Sequence, residues 1–132
     1  MFDATIDLVD PPIGQVFCYG TLLPGEERWG FLEPFVLSHE ADQVTGRLFD
    51  TGLGYPAARF DHIGVIHGRT FTLDPVRRDE ALALLDEIEG AVEGLYHRIS
   101  IVTALGRRAH AYQYGGGVSN LVSIRDGDWL TR

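Results

Sequence analysis

The stretch Val16-Phe17-Cys18-Tyr19-Gly20-Thr21-Leu22-Leu23-Pro24-Gly25 decides how the rest of the chain is read. Four residues that favour a pleated, half-buried surface run straight into Gly20. Glycine lets the backbone turn where a side chain would clash, and Pro24-Gly25 closes the loop as a turn signal. A strand that ends in such a loop turns successive backbone N–H groups toward one point. That nest can bind a carboxylate or a developing oxyanion. The same ten residues equally describe a buried first strand and its turn with no ligand.

Composition narrows the classes around this stretch. A chain of 132 residues, 45% of them hydrophobic, forms one domain with a proper core. A net charge of −8 makes nucleic acid and anionic membrane poor partners. No apolar run is long enough to span a bilayer, and the acidic start lacks the charge pattern of a secretory signal. One cysteine excludes an internal disulfide framework and fits a reducing, cytoplasmic setting. All eleven basic side chains besides histidine are arginines. The absence of lysine removes a Walker-type phosphate loop and Schiff-base chemistry.

Downstream and upstream, the elements follow from pattern. Residues 1–14 end in Asp10-Pro11-Pro12-Ile13-Gly14, an irregular lead-in, and residues 15–132 form the single domain. The first strand is Gln15 to Tyr19. Glu26 to Leu32 holds a short helical turn. Gln43 to Asp50 reads as a strand weakened at Gly46. Thr51 to Pro56 is a loop, and Ile63 to Leu73 is a long strand. Asp74-Pro75 signals a helix start, with the helix over Val76 to Glu89 and Gly90 as its stop. Gly94 to Val102 and Ala109 to Tyr114 pair as a hairpin about Gly106-Arg107-Arg108. Leu121 to Trp129 adds a final short element. One helix among several strands gives an α+β class with a largely antiparallel sheet.

One carboxylate in the helix is misplaced. At about 100° per residue, Ala81, Leu82, Leu84, Leu85 and Ile88 fill one arc, while Asp79, Glu80, Asp86 and Glu87 fall outside it. Glu89 falls inside, in the last turn, where the helix dipole disfavours an anion. Desolvation and dipole both raise its pKa. The pattern alone leaves open that Glu89 reaches solvent at a fraying end or pairs with an arginine such as Arg98. Metal and thiol chemistry fit less well. His62 and His67 match no zinc spacing. Cys18 in a strand interior reads as a small buried hydrophobe, on the sheet face opposite Tyr19.

Tyr19-Gly20-Thr21-Leu22 followed by Gly25 resembles the signature of the gamma-glutamylcyclotransferase-like (AIG2-like) family. Leu85-Asp86-Glu87-Ile88-Glu89-Gly90, Leu95-Tyr96-His97-Arg98 and Tyr55-Pro56-Ala57-Ala58 resemble further segments of it in the same order. The likeness runs from about Val16 to Tyr114. It implies a small curved, mostly antiparallel β-barrel with one main helix packed at its side. It also implies an enzyme converting a γ-glutamyl amide or amine to 5-oxoproline and a free amine, by attack of the substrate's own α-amine. Glu89 falls on the family's acid/base glutamate, with Glu93 and Asp86 as lesser candidates. Tyr19, Gly20, Thr21 and Leu22 become the substrate-binding loop, joined by Tyr96 and Arg98 of the "LYxR" stretch. Tyr112 and Tyr114 share a face of the returning strand, and Tyr114 is included with the substrate-binding residues. No metal or cofactor is implied, the partner is a small γ-glutamyl substrate, and the chain is expected as a monomer or weak homodimer. The alternative on the same fold is a non-catalytic domain binding a small ligand or partner. The sequence departs from the family at Glu26-Glu27, whose charge is expected to repel carboxylates of glutathione-like substrates.

Overall fold

The chain passes from one sheet to a second within a single extended run, and Gly46 is where it turns. In the computed structural model, which describes residues 12–91 and 96–132, the strand β2 (Val36–Thr45) ends at Gly46 and β3 (Arg47–Asp50) continues from it. Gly46 has φ 150°, and a Cβ there would meet the Arg59 carbonyl oxygen at 2.8 Å. The expected strand over 43–50 is therefore two strands in different sheets. The first sheet has the order β2-β5-β1-β7-β6, with β1 at Gln15–Cys18, β5 at Val65–Leu73, β6 at Tyr96–Val102 and β7 at Arg108–Tyr114. The second has the order β4-β3-β8, with β4 at Pro56–Arg59 and β8 at Val122–Ser123.

Pairing is antiparallel throughout except for β1 on β7, where Val16 stands opposite His110. The β6–β7 hairpin has the register expected from its turn, with Tyr96 facing Tyr114 and Val102 facing Arg108. The helix begins at Arg78, later than expected. Asp74 caps a preceding turn, its carboxylate accepting the Val76 N–H at 3.0 Å. It runs to Ala91, so Gly90 lies inside it and does not end it. A one-turn helix α1 (Trp29–Leu32) precedes it; the long helix is α2 (Arg78–Ala91). Residues 1–11 of the expected lead-in, Glu93, and the expected strand start at Gly94 lie outside the described residues.

Two cores follow from strand alternation. Phe17, Tyr19, Val44, Leu48, Ala58, Ile66, Ala109, Ala111, Ile124 and Trp129 cluster between the sheets. Val16, Cys18, Phe71, Leu73 and Tyr112 face the other way. They pack on Leu32, Ala81, Leu82 and Leu85 of the two helices.

The five-stranded sheet curls until its outer strands meet. Buried Asp42 of β2 accepts the Thr70 hydroxyl at 2.8 Å and the Leu105 N–H of the β6–β7 turn at 3.3 Å. The Ala104 N–H donates to the Gln43 carbonyl at 2.8 Å. Burial raises the Asp42 pKa, but hydrogen bonds from Thr103, Thr70 and the backbone of Gln43 and Leu105 outweigh it and hold it below the usual carboxylate range. The folded pKa lies below the unfolded one, so this carboxylate stabilises the fold above about pH 4 and stops doing so as pH falls further. Asp42→Ala is expected to cost about 2 kcal/mol in urea unfolding at pH 7. The loss should shrink at pH 3; equal losses at both would remove Asp42 from the closure.

Candidate active site

The curl leaves a narrow cleft at the end of β1, between its loop and the last turns of α2. It holds about 400 Å³ of empty space counting its mouth. The sequence builds one wall from Tyr19 to Leu22. After β1 the chain turns so that the Leu23 N–H donates to the Gly20 carbonyl (3.0 Å) and the Arg28 N–H to the Thr21 carbonyl (2.7 Å). The loop's carbonyls are thus spent on itself. The N–H groups of Gly20, Thr21 and Leu22 carry no hydrogen bond among the described residues. Gly20 is required here, because a Cβ would stand 2.7 Å from the Pro56 ring.

Glu89 lines the same cleft. Its helix arc also carries Leu82 and Leu85 into the core, and the carboxyl follows them to 9% exposure while Asp86 and Glu87 stay exposed. Burial pushes its pKa up to about 7, against a smaller downward pull from the Arg28 guanidinium. A carboxyl in that state accepts and returns a proton near neutral pH.

Three tyrosines frame the cleft with their hydroxyls already committed. Tyr19 donates to the Tyr112 carbonyl at 2.6 Å, Tyr96 to the Pro56 carbonyl at 2.6 Å, and Tyr112 to Asp86 at 2.7 Å. Burial pushes all three phenols up, with Glu89 adding to it. Burial and then Glu89 likewise raise the Cys18 thiol well above its ordinary value, which keeps it protonated and a poor nucleophile.

The residues singled out from sequence separate here. Tyr19, Gly20, Thr21, Leu22, Glu89 and Tyr96 line one cleft. Arg98 and Tyr114 stand outside its wall. Two residues beyond Tyr96 along β6, Arg98 comes level with Asp86, one turn before Glu89, and pairs with it at 3.5 Å. Tyr114 sits opposite Tyr96 in register and packs edge-on against its ring, centroids 5.4 Å apart. Asp86 is bound to Tyr112 and Arg98 on the exposed side. The structure adds Arg28, Tyr55 and Pro56, which sequence reasoning did not select. For Tyr55 and Pro56 the signal is the family-like Tyr55-Pro56-Ala57-Ala58 segment; for Arg28 it is that Arg28 is the sole arginine between Gly20 and Gly46.

A buried acid poised near neutrality, in one cleft with main-chain N–H groups that carry no hydrogen bond among the described residues, is equipped for proton transfer on a small molecule. Residues 16–131 match the family model "Gamma-glutamyl cyclotransferase, AIG2-like", and the chain belongs to that family. It is 27% identical over 121 residues to the gamma-L-glutamyl-butirosin B gamma-glutamyl cyclotransferase of Niallia circulans, covering 87% of this chain and 74% of that one. Among solved structures, YtfP of Escherichia coli is 30% identical with a TM-score of 0.60, covering 88% of this chain and 96% of that one. An uncharacterised protein of Pyrococcus horikoshii shares the fold at 21% identity with a TM-score of 0.68, covering 89% of each chain. Family and relative together make this a cyclotransferase-type protein.

Proposed function

We propose that the protein cyclises a γ-glutamyl amide to 5-oxoproline, releasing a free amine, with Glu89 as the proton carrier. The observation that supports this reading is that Glu89, near neutrality, lines the same cleft as the Gly20–Leu22 loop, whose N–H groups carry no hydrogen bond among the described residues. Nucleophile and electrophile belong to one substrate. Holding the chain bent so that its α-amine meets its γ-carbonyl is worth about 7–11 kcal/mol of the barrier. Glu89 takes a proton from the α-ammonium, and the freed amine adds to the carbonyl carbon. The loop N–H groups receive the resulting oxyanion. Glu89 then gives its proton to the departing nitrogen as the C–N bond breaks, and the ring nitrogen's second proton passes to the released amine, which leaves as an ammonium. The relative that acts on a γ-glutamyl butirosin supports the reaction class without fixing the leaving group.

Release of 5-oxoproline from a panel of γ-glutamyl amino acids, peptides and amines tests it. At least one member is expected to turn over, with kcat/KM rising through about pH 7 as Glu89 loses its proton. No release from any member, with 5-oxoproline itself still bound, would leave a ligand-binding domain in place of an enzyme.

A further inference from the structure

Glu89 and Arg28 are the only charged side chains in the cleft wall among the described residues. Elsewhere the arginines largely have partners in this acidic chain. Arg59 pairs with Asp61, Arg77 with Glu80, Arg78 with Asp79, and Arg107 with Glu40. Half-buried Arg28 has no carboxylate within 4.0 Å among the described residues, although Glu26 and Glu27 directly precede it. Its backbone is fixed at both ends, the N–H on the Thr21 carbonyl and the carbonyl on the Phe31 N–H at 3.1 Å. The guanidinium is therefore launched from the same rigid loop that supplies the main-chain donors. Its field reaches Glu89 and pulls that pKa down, but no carboxylate of the described residues occupies its fork at ion-pair distance, so a ligand's carboxylate can.

We propose that Arg28 is the carboxylate-reading residue of this cleft, pairing with a carboxylate of the γ-glutamyl substrate and so deciding which substrates are held for cyclisation. The inference rests on the cyclotransferase reading and deepens it. A γ-glutamyl compound presents an α-ammonium and an α-carboxylate on one carbon. That pair of charges matches the acid and the arginine of the cleft wall, Glu89 and Arg28. A carboxylate on the departing amine offers the same chemistry from a second source. Arginine's planar fork binds either one through two parallel N–H donors, which lysine does not reproduce. The cleft wall thus carries one acid and one arginine, a different charge pattern from the acidic pair Glu26-Glu27. Those two side chains are not part of its wall, and Arg28 is.

Two matched pairs of compounds separate the sources, measured on the wild type and on Arg28→Gln. Calorimetry with 5-oxoproline and its carboxamide reports the α-carboxylate. Turnover of γ-glutamylglycine and γ-glutamylglycinamide reports a carboxylate on the leaving group. Arg28→Gln is expected to weaken 5-oxoproline binding about 10- to 100-fold and leave carboxamide binding alone, as loss of a charge-assisted hydrogen bond predicts. KM should rise by a similar factor with kcat within a few fold, and Arg28→Lys should recover only part of the loss. A loss confined to the glycine and glycinamide pair also supports the proposal and puts the carboxylate on the departing amine. Equal effects on acid and amide ligands, or none on either, overturn it even if wild-type turnover is intact. Absence of wild-type turnover, with 5-oxoproline binding still dependent on Arg28, counts against the cyclotransferase reading instead.

Discussion

Glu89→Gln is expected to turn over γ-glutamyl amides about 10²- to 10⁴-fold more slowly than the wild type, and yet to be the more stable protein at pH 8. Both effects come from one fact, the burial of a carboxyl in the last turns of α2. In the unfolded chain that group loses its proton near 4.5, and in the folded chain near 7. Between those values the folded state binds more protons, so stability falls as pH rises and the full cost is present above about pH 7. The displacement from 4.5 to about 7 amounts to about 3 kcal/mol. Glutamine keeps the shape and carries no charge, so the variant escapes that cost at pH 8. Below pH 4.5 both side chains are neutral and the advantage should vanish. Thermal unfolding at pH 4 and pH 8, beside initial rates, measures both halves. Full turnover would remove Glu89 from the chemistry. Loss of turnover with no pH-dependent gain in stability would mean that the carboxyl is not desolvated.

Much of this site is legible in the sequence, because two of its parts obey local rules. Helical spacing alone puts Glu89 on the arc of Leu82 and Leu85, and the helix buries those three together. Strand residues running into Gly20 and Pro24-Gly25 fix the loop, whose turn is closed by a bond between residues only three apart. The β6–β7 hairpin is equally local. What escaped depends on distance or exposure. The first half of β2 is an exposed edge, Leu37-Ser38-His39, with no apolar alternation to announce it. β4 opens on Pro56, which is tolerated at the first residue of a strand but reads as loop. The parallel contact of β1 with β7 joins Val16 to His110 across most of the chain. Arg28 has no periodicity to betray it, since its place in the cleft is set by a turn and not by a repeating element. Arg98 shows the converse. The motif placed it correctly in sequence, but register along β6 delivers it to Asp86 and away from the cleft.

Gly68→Ala is expected to damage the fold more than any change in the cleft, although the residue carries no chemistry. It lies in the middle of β5, where Cys18 of β1 pairs with the adjacent Arg69. A Cβ at position 68 would stand 2.1 Å from the Cys18 carbonyl oxygen and 2.8 Å from the Phe17 ring. The nearest atom belongs to the backbone, so no side-chain rotation relieves the clash, and β1 must move away from β5. Overpacking of a sheet interior in this way costs about 3 kcal/mol or more. Cys18 is also the residue before Tyr19. Any shift of its carbonyl carries the Gly20–Leu22 donors out of line with Glu89, so activity should fall even in the fraction that remains folded. Gly30→Ala is the control, since a Cβ there meets nothing within 4 Å and the residue lies in α1. It should melt at or slightly above the wild type, because alanine favours helix over glycine. Urea unfolding of the two variants side by side decides the matter. If Gly68→Ala unfolds at the wild-type midpoint, the close approach of β1 and β5 is not what holds the loop in place.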